Sequence, residues 1–570
     1  MSDETTNLDG GILPPTTAAI HPRRFADDFE FLSGKWTLAV ILAVMMVVGF
    51  GLRVYNLSAE SLSEDELNKL ETVDEYRQNG LSSKNGEHPF LMKGLQTISV
   101  VTASKLNANV LSPANAISPE SALRFPLVLF GTLTTLILFL LVRELFGRSI
   151  GLVTASLWAV EPLAIAFDRV AKEDSLVLFF FLLTSFFWVR SQTRAEQGDP
   201  HWSRWVWLAA VGFAAVMASK YYPWLLAPIA AYYGMYDRHA SKRWRISRSQ
   251  WILFFGTMGV AFLIINPTIL IPQSWHEMLK FSSENRIGHD SYDYMGQLYP
   301  NKMTLWFRGV PWTFYLVYIV IKYSLTTLIL GIAGIPLLIR RRMGDGRFFI
   351  FWWALFFLVP FSLIGGKFTR YFAIPAPMLL ICASVAFYFG ALWLSKSMRL
   401  SGLGAVVLQG LLFFAILAVP LYDSMSITPH LRLFTNTIGG GMTNAGFYFP
   451  HDEFYDAGSR EVVTAIAGLS PGKGLIACET PYLLDYYADR IGVPALDTVS
   501  LSDPDDVEKL KEGDFVVITS GRRYFSNEAY ERTLDRYPAD AEVKIDGATF
   551  AKIYKLDSER LAAIQAIASK

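Results

Sequence analysis

Cysteine is almost missing from this sequence. Cys382 and Cys478 are the only two, one in an apolar stretch and one in the polar tail, which excludes a disulfide framework. Charge is scarce as well: Asp, Glu, Lys and Arg make up 18% of the chain, against about 25% in a typical soluble protein. Neither sign prevails, with 51 acidic and 51 basic residues, so the balance gives no reason to expect a nucleic-acid partner. There is no G-x-x-x-x-G-K-[ST] loop and no G-x-G-x-x-G after a strand, which disfavours a nucleotide-fuelled pump. Gly439-Gly440-Gly441 reads as a flexible linker, and no Cys/His cluster has zinc spacing. Internal repeats and low-complexity segments are missing too.

What the chain has in quantity is apolar surface. Hydrophobic residues reach 52% and aromatics 14%. A membrane span needs roughly 20 apolar residues, and eleven stretches qualify or come close: Trp36 to Tyr55, Ala122 to Val142, Ile150 to Phe167, Ser175 to Trp188, Trp205 to Ser219, Tyr222 to Tyr236, Trp251 to Ile265, Tyr323 to Ile339, Phe348 to Ile364, Phe372 to Leu394 and Leu403 to Tyr422. The fourth to seventh are short. Trp and Tyr mark many of the ends, as interfacial anchors do. The first run is too long for a cleaved signal peptide and reads as a retained anchor.

Lys and Arg in short loops set the orientation. With the N-terminus inside, every inside loop is basic: Arg143 and Arg148; Arg190, Arg194 and Arg204; Arg238, Lys242, Arg243, Arg245 and Arg248; Arg340, Arg341, Arg342 and Arg347; Lys396 and Arg399. The expected organisation is a cytoplasmic segment 1–35, a membrane domain 36–422 and an extracytoplasmic α/β domain 423–570, in a cytoplasmic (inner) membrane. The outside loop 56–121 has helical periodicity over Glu60 to Gln78 and His88 to Leu106, suited to the membrane surface. The outside segment 266–322 carries His276, Glu277, Arg286, His289 and Asp290. In the tail, Gly474 to Cys478 and Asp514 to Thr519 read as buried strands. Pro481 to Arg490 and Asn527 to Tyr537 read as helices, and Glu542 to Ile545 with Thr549 to Leu556 as a hairpin about Asp546-Gly547.

Three groups of residues point to chemistry. The first outside loop holds Ser63-Glu64-Asp65-Glu66. A carboxylate at a low-dielectric membrane face can have its pKa raised into the range useful to a general base; the alternative is a capping box, Ser63 with Glu66. The second is Glu87-His88-Pro89. Proline holds His88 extended and starts a helix over Phe90 to Val101, so imidazole and carboxylate suit a phosphate, a metal or a sugar, unless this is a plain loop-to-helix junction. The third is a set of cations on the side where the positive-inside rule does not place them: Arg124, Arg169, Lys172, Lys220, Lys367 and Arg370. One such residue is ordinary snorkelling; a converging set suits a lipid phosphate.

Taken in order, these residues resemble the GT-C membrane glycosyltransferases, specifically the protein O-mannosyltransferase and aminoarabinose-transferase-like group (glycosyltransferase family 39 and relatives). Asp65-Glu66 matches that group's first-loop pair. His88-Pro89-Phe90-Leu91-Met92-Lys93 matches its H-P-P-L-x-K run, with Phe90 in place of the second proline. Arg124-Phe125-Pro126 with Phe130 to Thr134, Ala166 to Asp174, Lys220, and Lys367 to Pro377 are similar to later family segments. The likeness spans about residues 36–400. It implies a polytopic helical membrane enzyme of about 11 spans, taking sugar from a polyprenyl-phosphate donor. Asp65 would be the base and Glu66 its neighbour. Arg169 and Lys220 would be the main phosphate ligands, with Lys172, Arg370, Glu87, His88 and Lys93 completing the substrate site. Expected partners are membrane lipids, the lipid-linked donor and an acceptor glycan, lipid or protein. No cofactor is certain; Glu87, His88, His289 and Asp290 are candidate ligands for a divalent metal. A transporter or flippase of polyprenyl-linked sugars is the alternative, although no paired broken helices of the transporter kind occur.

Overall fold

The computed structural model describes residues 29–568 apart from 35, 240–242, 284–288, 341–342, 470–473 and 494–495. Nearly all of the expected segment 1–35 lies outside the described residues, as do Lys242, Arg286, Arg341, Arg342 and the side chain of Arg238.

Each of the eleven apolar stretches lies on a helix or a pair of helices. In chain order the first half comprises α1 (Thr37–Val54), α2 (Glu64–Asn79), α3 (Phe90–Asn109), α4 (Pro119–Phe146), α5 (Arg148–Val160), α6 (Pro162–Asp168), α7 (Asp174–Glu196) and α8 (Ser203–Ser219). It continues with α9 (Ala227–His239), α10 (Arg248–Ile265), α11 (Pro272–Ser283), α12 (Phe314–Lys322), α13 (Leu325–Leu338), α14 (Gly346–Leu363), α15 (Ala376–Ser397) and α16 (Leu403–Ile427). Among the described residues seven helices are long and apolar enough to cross a membrane, and α5 with α6 makes an eighth span bent by 64°. Helices α8 and α13 are apolar but shorter. The chain is an integral membrane protein.

The bend between α5 and α6 fixes where the chain leaves the bundle. Pro162 opens α6 and has no N–H to offer. The Glu161 carboxylate beside it accepts from the Ser324 N–H (2.7 Å) and the Thr327 hydroxyl (2.7 Å), so the break is stitched to α13. Arg53 Nε donates to Asp168 Oδ2 at 2.8 Å, pinning the end of α6 against α1. The segment Arg169–Glu173 is thereby delivered to one end of the bundle.

The two helices expected in the first outside loop are present as α2 and α3. Helix α2 packs under the C-terminal part of the chain: Glu66, Leu67, Lys69, Leu70, Thr72 and Val73 are all buried. The segment 266–322 holds a hairpin the sequence pattern did not disclose, β1 (Ser291–Tyr294) with β2 (Gln297–Pro300).

After α16 come α17 (Pro450–Phe454) and α18 (Ser459–Leu469), and then a five-stranded sheet in the order β4-β3-β5-β7-β6. Its strands are β3 (Gly474–Cys478), β4 (Leu496–Ser500), β5 (Phe515–Thr519), β6 (Ala541–Ile545) and β7 (Ala548–Lys555). Strands β3, β4 and β5 run parallel, and β7 joins antiparallel. The expected strands, helices and hairpin of the tail are present. Asp546 and Gly547, at φ +47 and +84, supply the two left-handed residues of a tight hairpin turn. Strand β4 was not expected, because a half-exposed edge of Leu-Asp-Thr-Val-Ser has no clean alternation. Gly439-Gly440-Gly441 is a fixed double turn rather than a flexible linker, with Asn444 Nδ2 bonded to the Gly439 carbonyl at 3.0 Å.

One hydrophobic cluster runs from α2, α3 and the start of α4 straight into the sheet, joining Leu67, Met92 and Leu123 to Ile476, Phe515 and Ile553. Inside the bundle α13 lies against α15 so closely that a Cβ on Gly334 would land on the Cys382 carbonyl. Gly334→Val should therefore lower thermal stability in detergent by about 1–3 kcal/mol or more. Gly410→Ala, where nothing lies within 4 Å, should be neutral or stabilising by about 0.5–1 kcal/mol; parallel unfolding curves of the two variants check this.

Candidate functional site

A cavity of about 800 Å³ opens at the end of the bundle beneath the C-terminal sheet. Its wall includes Asp65 from α2, Glu87 and His88 from the loop before α3, Lys172 and Glu173 from the turn before α7, Lys220 after α8, and Arg370. Residues as far apart in sequence as Asp65 and Arg370 thus face one space.

Asp65 sits in the first turn of α2, whose start is a full capping box: Ser63 Oγ accepts from Glu66 N–H, and Glu66 Oε2 accepts from Ser63 N–H at 2.9 Å. Asp65 is paired with Lys172 Nζ and accepts from the Tyr455 hydroxyl at 2.6 Å. Lys69 bridges to Glu173 at 3.2 Å, and His88 Nδ1 lies 3.5 Å from the same carboxylate. Lys220 Nζ meets Asp174 at 3.0 Å and lies 4.8 Å and 5.1 Å from the ring centres of Tyr222 and Tyr371, contacts in which the ring faces favour the cation. Arg370 stacks at 4.0 Å on Phe368 and lies 3.9 Å from Asp452.

The electrostatics reverse one expectation. Burial pushes the Asp65 carboxyl up, but Lys172, Lys69 and Arg370 outweigh it and hold the group well below the ordinary carboxylate range. The membrane face does not raise it, because the site supplies more positive charge than desolvation can offset. Burial lowers Lys172 to about 8 against the pull of Asp65. Burial lowers His88 to about 3, so its imidazole is neutral at neutral pH. Lys220 is desolvated too, but Asp174, Tyr222 and Tyr371 hold it above the ordinary lysine value.

Three expected site residues do not face the cavity. Glu66 points the other way, takes Arg124 Nε (2.8 Å) and Nη2 (2.7 Å) on its two oxygens, and accepts from the Ala171 N–H at 2.7 Å. It is a buried clamp, since successive helical residues project about 100° apart. Arg169 donates to the carbonyls of Arg53 (2.8 Å), Tyr55 (2.8 Å) and Asn56 (3.1 Å); it closes the C-terminus of α1, where orphan carbonyls need donors. Lys93 donates to the Asn85 carbonyl at 2.7 Å and fixes the loop that carries Glu87 and His88. Lys367 likewise serves backbone carbonyls, Val310 (2.7 Å) among them. For a metal, no group of three His, Cys, Asp or Glu side chains among the described residues is placed to hold one. His289 is 2.8 Å from Arg522 Nη1, and Asp290 takes backbone N–H groups of Phe525 and Ser526, each at 3.2 Å.

Other wall residues come from the tail, and sequence reading missed them. Arg522, after β5, donates to Asp456 Oδ1 (2.8 Å) and to Glu64 Oε2 (2.8 Å). His451 and Tyr455 line the cavity as well. The one available signal was the run His451-Asp452-Glu453-Phe454-Tyr455-Asp456, dense in acid and aromatic residues soon after the last span. A second, narrower cavity shares Lys172, Arg370 and Tyr455 with the first and adds Lys322 and Arg432. Four cations thus border it, together with the carboxylates of Asp174, Asp452 and Glu453, the last paired with Lys322. Together the two spaces offer fixed positive charge to an anion and a carboxylate to a proton.

Glu66 sets the register of this site, because its neighbours Asp65 and Lys172 flank the Glu66–Ala171 bond. Glu66→Ala should leave Arg124 charged and buried, costing about 3–5 kcal/mol, read as a large fall in unfolding temperature. His88 binds a proton less readily folded than unfolded, so it withdraws stability as pH falls below about 6.5. His88→Gln should therefore lose less unfolding temperature than wild type between pH 7 and pH 5.

Known proteins are similar to this chain in part of its sequence and in its fold. Residues 114–271 match the family model described as dolichyl-phosphate-mannose-protein mannosyltransferase. A search of curated protein sequences gives no match. The oligosaccharyltransferase of Archaeoglobus fulgidus in its apo form is 12% identical, with 85% of this chain aligned to 70% of that one at TM-score 0.50. The archaeal oligosaccharyltransferase AglB from the same organism, in complex with an inhibitory peptide and a dolichol-phosphate, is 10% identical over 85% of this chain and 69% of that one, at TM-score 0.51. ArnT from Cupriavidus metallidurans in the apo state is 17% identical, with 90% and 97% covered and a TM-score of 0.48. The chain is thus an integral membrane protein with the fold of the GT-C glycosyltransferases.

Proposed function

We propose that this protein transfers a sugar from a polyprenyl-phosphate donor to an acceptor at the outer face of the cytoplasmic membrane. The observation that carries the reading is the single cavity in which Asp65 meets Lys172, Lys220 and Arg370. An acceptor hydroxyl or amine attacks the anomeric carbon. The bond from that carbon to the phosphate oxygen breaks, and the polyprenyl phosphate leaves with both electrons. One displacement inverts the anomeric centre. Asp65 takes the acceptor's proton, and Lys172, Lys220 and Arg370 stabilise the charge gathering on the phosphate, which is electrostatic catalysis by groups already in place. The match of residues 114–271 to a mannosyltransferase family supports this class of reaction.

The low proton affinity of Asp65 fits this scheme through competition for Lys172. A donor phosphate draws Lys172 and Arg370 toward itself and brings negative charge close. Both changes raise the carboxyl's pKa, so the base strengthens when the donor is bound. Arg169, Glu66 and Lys93 act as positioning residues here, not as ligands of the phosphate.

In liposomes loaded with polyprenyl-phosphate mannose or polyprenyl-phosphate aminoarabinose, with an envelope extract as acceptor source, wild type should release polyprenyl phosphate. Asp65→Asn should release it about 10²–10⁴-fold more slowly while still retaining the lipid in native mass spectra. Lys220→Ala should lose the bound lipid. Near-normal release by a folded Asp65→Asn removes Asp65 as base.

A further inference from the structure

Helix α17 ends in an unusual way. Tyr455 and Asp456 both have left-handed backbone, at φ +46 and +63. Such angles are uncommon for any residue but glycine, and an aromatic side chain there is a real outlier. Strained residues of this kind persist only where the surroundings enforce them, and they gather at functional sites. Here the enforcing contacts are visible. Asp456 accepts from Arg522 Nε at 2.8 Å and from the Glu64 N–H at 3.1 Å. Arg432 lies 5.2 Å and Lys172 5.9 Å from the centre of the Tyr455 ring. The twist aims the Tyr455 hydroxyl at Asp65 Oδ2, 2.6 Å away. Tyr455 also borders both cavities.

We propose that Tyr455 is the positioning residue for Asp65, so that the C-terminal part of the chain completes the catalytic centre rather than merely covering it. The inference rests on the reading of Asp65 as base. The phenol donates to one carboxylate oxygen and thereby fixes the plane of the group, leaving the other oxygen for the acceptor's proton. A hydrogen bond to the ionised form also lowers the pKa of that form's acid. The other charged or titratable groups facing Asp65 are Lys69 from its own helix, Lys172 from the turn before α7, Arg370, and His88 from the loop before α3. A donor phosphate competes for Lys172 and Arg370. Tyr455 carries no charge for a phosphate to claim, so it holds the carboxylate while those partners exchange.

The test is Tyr455→Phe in the full-length protein, reconstituted with the same two polyprenyl-phosphate sugars. The ring remains, so packing between Lys172 and Arg432 is kept. We expect kcat to fall by about tenfold with KM for the donor changed less than about twofold. The acid limb of kcat should move up by roughly one pH unit, since loss of a donor to the carboxylate raises its pKa. A fall in kcat with an unmoved limb shows a merely structural role and overturns the proposal, as does an unchanged kcat. Asp65→Asn is run beside it. If that variant turns over like wild type, the reading of Asp65 as base is what has failed. If Asp65→Asn is dead and Tyr455→Phe keeps the wild-type pH profile, only the role of Tyr455 has failed.

Discussion

The Glu66 carboxylate is the node on which the site depends. Its two oxygens take a bidentate Arg124 guanidinium, and the same side chain takes the backbone N–H of Ala171 and of Ser63. Arg124 in turn donates to the carbonyls of Leu57, Glu60 and Ser61. One ion pair therefore ties together the start of the first loop, the start of α2, the second span and the turn before α7. A buried pair of this kind adds little net stability, because desolvation offsets most of its Coulombic gain. Its value lies in register. With every lone pair and proton assigned, α2 has one seat, and Asp65 and Lys172 meet.

Above this node the membrane bundle and the C-terminal sheet share a core. Leu67, Met92 and Leu123 lie in the same cluster as Ile476, Phe515 and Ile553, and polar contacts take the same path. Leu62 N–H donates to the Tyr487 hydroxyl at 2.7 Å, and Ser61 N–H to the Ala457 carbonyl at 2.8 Å. The cavity wall is accordingly composite. Asp65 and Lys172 belong to the membrane half, whereas Tyr455 and Arg522 come from the other half and grip the first turn of α2.

Much of the site was legible in the chain. Asp65, Glu87, His88, Lys172, Lys220 and Arg370 stood out as charge where the local pattern did not require it, and all six face the cavity. Arg169 and Glu66 stood out by the same signal and face elsewhere. A cation near a helix end serves a phosphate or a row of orphan carbonyls equally well, and Glu66, about 100° further round the helix than Asp65, is turned to the interior. The direction of the Asp65 pKa was likewise out of reach. It turns on whether burial or three nearby cations prevails, and only their distances decide that.

Apolar run lengths, interfacial aromatics and the alternation of the tail determined, by themselves, a helical membrane protein followed by a small α/β unit. These are local properties, set by hydrogen-bond satisfaction in lipid and by the strand and turn preferences of a few consecutive residues. The tertiary structure alone decided that α2 lies under the sheet, that Tyr455 reaches Asp65 and Arg522 reaches Glu64, and that Glu66 and Arg169 turn inward to hold the frame. Those outcomes depend on contacts across tens to hundreds of residues. A buried charge takes whichever partner the packing brings within reach, and no spacing along the chain reveals which that is.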